Sequence, residues 1–169
     1  MVGKQIEVTA VEVARTAPVD IDARMKKIND SLSNLKVDLT NWKFDRNEAN
    51  NYDWQDCCRH QYLVYLHEST PTFKSEISEI IVRNLPIISS QVISEYLNVL
   101  NRLLRAPKLH LIDHCLTLTE GCTVIGMDHQ LVLKARQLVV RYDFQIFDAN
   151  IIASALQARC NVLYSEDFQ

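Results

Sequence analysis

The sequence predicts an α/β fold, helices packed around a central parallel sheet, preceded by an irregular or helical N-terminal segment. Three observations lead there. From Tyr62 onward short apolar runs alternate with helical patterns, the pacing of right-handed crossover units around a parallel sheet. Three glycines and four prolines in 169 residues exclude collagenous and linker-dominated chains. A hydrophobic share of 47% supports a full core, and 23% charged residues is ordinary for a soluble protein.

Taken in order, QYLVYL (61–66) reads as a strand. FKSEISEIIVRN (73–84) reads as a helix with Ile77, Ile80 and Ile81 on one face, and LPIIS (85–89) as a short buried strand. Residues 90–105 form an amphipathic helix, because Val92, Ile93, Tyr96, Leu97, Leu100 and Leu103 follow the three-four spacing, with Ser90 as the expected N-cap. Residues 109–119 look helical and 122–126 extended. Two helices follow: 129–142 with Leu131, Leu138 and Val139 inward, and 147–160 with Ile151, Ile152, Ala155 and Leu156 inward. NVLYS (161–165) is the closing strand. Residues 1–57 differ in character, with scattered apolar positions and many charges, so two units are expected, 1–57 and 58–169.

No apolar run approaches the roughly 18 residues that span a bilayer, and no compact apolar block follows a basic start. No membrane association and a cytoplasmic setting are expected. The five cysteines show no CxxC spacing and read as reduced, mostly buried thiols. A net charge of −3 offers no broad attraction for nucleic acid, so such a partner would need a local basic patch or bound metal ions.

Three acids sit in surroundings unsuited to simple solvation. Glu95 lies between Val92 and Val99 at the margin of an apolar helix face. Asp148 stands one turn before Ile151 and Ile152. Asp167, with Glu166 beside it, follows the strand at 161–165. In parallel sheets the carboxyl ends of strands share a ligand-binding crevice. Carboxylates gathered there repel unless a divalent cation lies between them, and oxygen-rich sites suit magnesium or manganese. Such an ion can hold a phosphodiester and activate water. Plainer readings stand alongside: Asp148 as a helix cap, Glu95 as a helix-surface acid, Glu166 and Asp167 as solvated charges. His110 and His114 are the only HxxxH pair and, lacking a third ligand, read as a surface pair. No GxSxG and no glycine-rich phosphate loop is present.

The runs PIISSQVISEYLNVLNRLL and YDFQIFDANIIASALQARCNVLYSEDFQ resemble the second-acid and the third- and fourth-acid segments of PIN-domain toxins. The resemblance covers about residues 62–169. It implies a small three-layer α/β domain that cleaves RNA at a Mg2+ (or Mn2+) site, as a homodimer held inactive by a cognate antitoxin. Glu95, Asp148 and Asp167 match the family's acids, with Glu166 as a helper. The first acid does not match. The family has Asp-Thr-Asn there, and this chain has Arg59-His60-Gln61, a cation where a metal ligand belongs. The chain also stops just past its last acid, where the family runs on through another strand.

A codon-level reading accounts for the mismatch. The possible codons of YDWQDCCRHQYL (52–63), read one nucleotide later, permit a start codon and a family-like Val-Val-Asp-Thr-Asn strand. On this expectation residues 1 to about 66 derive from an upstream antitoxin frame, fused to the toxin frame between about Leu66 and Pro71. Codons for Arg59-His60 that cannot spell a shifted GAC-ACC would overturn it. The N-terminal part (20–50) is then antitoxin-like, able to dock on its own domain and bring Arg46 or Arg59 near the acidic pocket. Three readings follow: a metal-dependent endoribonuclease impaired by loss of its first aspartate, an inactive PIN-like binding or dimerisation module, or a nonfunctional fusion product.

Overall fold

A computed structural model describes residues 19–39 and 56–166. Four strands, β1 (Asp56–Cys58), β2 (Ile87–Ser89), β3 (Thr123–Ile125) and β4 (Val162–Tyr164), form one sheet in the order β3-β2-β1-β4. Every pairing is parallel, with Cys57 opposite Ile87, Ile87 opposite Thr123, and Asp56 opposite Val162. Seven helices complete the described residues: α1 (Ile21–Leu32), α2 (His60–Tyr65), α3 (Phe73–Arg83), α4 (Ser90–Leu103), α5 (Lys108–Thr119), α6 (His129–Tyr142) and α7 (Ile146–Gln157). The α/β class expected from the sequence holds.

One assignment is corrected. QYLVYL is not a strand; it makes up most of α2, and the strand that opens the sheet lies upstream at DCC. Every residue of α2 is buried, and a fully buried segment shows neither the period of a half-buried strand nor that of an amphipathic helix. The new strand begins at Asp56, ahead of the boundary expected at 57/58. Smaller corrections follow. Ser89, not Ser90, caps α4, its hydroxyl accepting from Val92 N. Ile80 and Leu156 face solvent rather than the core.

Local chemistry sets the helix starts. Thr72 and Ser75 form a reciprocal capping box at α3, and Asp128 accepts from Leu131 N at α6. Because Ser89 both ends β2 and caps α4, no loop separates strand from helix, and Glu95 is held near the carboxyl end of the sheet. At α6–α7 the small residues Ala135, Ala149 and Ala153 pack with Leu131 in a second, smaller core.

The N-terminal segment shares the main core. Met25, Ile28, Leu32, Leu35 and Leu39 are buried in one cluster with Leu63, Ile88, Tyr96, Leu100, Leu111 and Leu118. Arg24, itself buried, donates to Val82 O (2.8 Å), Leu118 O (2.6 Å) and Glu120 O (2.5 Å). Those carbonyls end α3 and α5, where unsatisfied acceptors and the negative end of the helix dipole favour a cation. Just beyond, Gly121 takes φ +80°, and a Cβ there would meet Val19 at 2.9 Å. Residues 33–39 then run along the end of α2: Val37 bridges Glu68, and Lys36 Nζ donates to Leu66 O at 2.7 Å.

Candidate functional site

The carboxyl ends of β1 and β2 converge with the start of α7. Arg59 follows the last residue of β1 and is the N-cap of α2. Its Nη2 lies 2.7 Å from Asp148 Oδ1, and both side chains are buried. Asp148 occupies the first turn of α7, whose N-cap is Gln145, so it is not the cap. His60, the next residue, places Nδ1 2.7 Å from Glu95 Oε2, an ion-pair distance without the alignment of a hydrogen bond. Gln91 Nε2 donates to the other Glu95 oxygen at 2.9 Å. Burial pushes the Glu95 carboxyl upward, but His60, Gln91 and the field of Arg59 outweigh it and hold the group below its ordinary value.

The structure therefore brings Glu95 and Asp148 to one end of the sheet, each against a basic side chain from the residues that follow β1. Glu166 goes elsewhere, accepting from Tyr65 OH at 2.7 Å and pairing with Lys74 at 3.0 Å. Asp167 lies outside the described residues, as do Arg46 and the rest of 40–55. Among the described residues no three His, Cys, Asp or Glu side chains form a group able to hold a metal ion. The arrangement does not fit a divalent cation. The Arg59 guanidinium already holds the Asp148 carboxylate, and at an effective dielectric of about 20 a unit charge at 4 Å from a dication is repelled by roughly 8 kcal/mol. Binding would also require breaking a buried ion pair.

The family model for the PIN domain matches residues 61–169. The chain belongs to the PIN-domain family. The matched span takes in Glu95, Asp148, Glu166 and Asp167 and begins two residues after Arg59. Among solved structures, the sarcin-ricin loop cleaving toxin VapC20 of Mycobacterium tuberculosis is similar in fold. The two are 17% identical with a TM-score of 0.53, over 67% of this chain and 90% of that one. No curated protein matches the chain. PIN nucleases in general use divalent metal ions.

Two further side chains escaped the sequence reading. Arg24 was legible in principle, because it sits with Ile21, Met25 and Ile28 on one helix face. His114 is not a surface histidine: it is buried on the stripe of Leu111, Cys115 and Leu118, while His110 is exposed. The spacing of those apolar neighbours carried the signal.

Proposed function

We propose that this chain is a ribonuclease-toxin-type PIN domain whose metal-dependent cleavage is suppressed by its own Arg59, leaving an RNA-associated binding module. The Arg59–Asp148 contact at 2.7 Å carries the reading. It gives the site internally the positive charge that Mg2+ or Mn2+ supplies in working PIN nucleases. RNA is the partner by family, in a cytoplasmic setting; no helix of the described residues is long and apolar enough to cross a membrane. Residues 19–39, outside the family match yet buried against the domain, support an antitoxin-like role exercised within the same chain. A second copy as partner belongs to the same proposal and is read by sedimentation of the purified protein.

The competing reading is an active nuclease in which Glu95, Asp148 and Asp167, helped by Glu166, hold the ion. The ionised state favoured for Glu95 speaks for it. One assay separates the two: RNA cleavage with manganese by the wild type, Glu95→Gln, Arg59→Asp, and Arg59→Asp with Glu95→Gln. The proposal expects cleavage from Arg59→Asp alone. Manganese-dependent cleavage by the wild type, abolished by Glu95→Gln, would establish the active enzyme instead.

A further inference from the structure

A line of buried polar groups runs through the domain and begins and ends on the N-terminal segment. His67 Nδ1 lies 2.7 Å from Leu35 O, and His67 Nε2 lies 2.6 Å from Tyr96 OH. The Tyr96 hydroxyl lies 2.9 Å from His114 Nε2, and His114 Nδ1 lies 2.7 Å from Ser31 Oγ. His67, Tyr96 and His114 are all buried. Ser31 and Leu35 belong to the docked segment, the three rings to the end of α2, to α4 and to α5.

The chemistry of the ends fixes every proton. A carbonyl only accepts, so His67 Nδ1 carries hydrogen, and neutral His67 accepts at Nε2 from Tyr96. Tyr96 has no second hydrogen, so His114 Nε2 donates to it. His114 Nδ1 is then an acceptor and takes the Ser31 hydroxyl hydrogen. One extra proton leaves the line intact, because Ser31 can turn its hydroxyl to Ile28 O, 2.7 Å away, and accept from His114 instead. Two extra protons break it. Both rings would then donate to the Tyr96 oxygen, leaving its hydrogen without an acceptor in the line, and two cations would face each other with ring centroids 5.1 Å apart.

We propose that this line is a proton-operated latch: neutral imidazoles hold residues 19–39 on the domain, and acid releases them. Burial drives the His67 value down to about 3 and the His114 value down to about 4, with Lys36 of the docked segment lowering both. Among the described residues, the charged group facing this region is Lys36, which Glu68 and Glu79 face; the Cys115 thiol beside Tyr96 is kept neutral by burial, which pushes it up to about 11. Once undocked, both rings return toward 6.5, so the docked state excludes protons that the released state binds. Docking therefore weakens as pH falls below about 6.5, by about tenfold per pH unit for each proton that the docked state excludes. The latch acts on α2, which begins at His60, and on α4, which carries Glu95, so release loosens both elements at the acid site.

Hydrogen exchange on the full chain from pH 7.5 to 4.5 tests this, with α6–α7 amides as internal reference. Protection of α1 is expected to fall at least tenfold per pH unit below about 6, ahead of α6–α7. At pH 7.5 Ser31→Ala is expected to lower α1 protection about tenfold through the lost hydrogen bond, and Ser31→Thr to preserve it. Alanine is the better helix former, so a merely structural serine predicts the opposite sign. A pH-independent α1, a fall in step with α6–α7, or equal or greater protection in Ser31→Ala overturns the latch.

Discussion

Arg59 shows how one side chain can tie the end of a strand to the first turn of a helix far along the chain. The residue sits where strand β1 meets α2, and its guanidinium reaches Asp148 in the first turn of α7. The sequence reading expected a cation at the position of the family's first acid. It did not show the pairing, which depends on three elements far apart in the chain. Removing one partner of a buried pair leaves the other uncompensated. Arg59→Ala is expected to destabilise the protein by about 3–5 kcal/mol in chemical denaturation, and Arg59→Leu with Asp148→Leu to recover most of that loss. Arg24 makes a parallel case. Its charged hydrogen bonds to three carbonyls are worth about 1.5–3 kcal/mol each at most. Arg24→Met should therefore cost 3 kcal/mol or more, and Arg24→Lys, which cannot span both helix ends, should restore only part of it.

Among the elements, α4 connects the two halves of the account. Glu95 on one side of it meets His60, and Tyr96, the next residue, joins His67 and His114. Its amphipathic spacing was readable because half its surface meets solvent. That of α2 was not, because burial on every side removes the pattern that sequence reasoning uses. The pH dependence of stability belongs to this scale. Two histidines held neutral below their ordinary 6.5 give stability that is complete above about pH 6.5 and declines on acidification. The slope approaches two protons, about 2.7 kcal/mol per pH unit, until His114 titrates near 4, and halves from there to about 3. Urea denaturation at pH 7 and pH 5 reads it directly. Tyr96→Phe, which keeps the ring but opens the line, should lower stability at pH 7 by about 2–4 kcal/mol, leaving both imidazoles short of a partner.

For the whole molecule, the α/β class was legible because apolar runs and helix periods survive in any sequence that builds such a sheet. The docking of residues 19–39 was not, since their role comes from a surface supplied by α3, α5 and the end of α2 rather than from their own pattern. The proposed function makes it a PIN domain carrying two internal substitutes: a peptide segment on one face, and a cation in its acid site. The second is the central claim, and calorimetric titration of the full chain with Mn2+ tests it most directly. The account predicts no binding heat for the wild type and a measurable site in Arg59→Asp. A wild type that binds manganese as tightly as Arg59→Asp would contradict it.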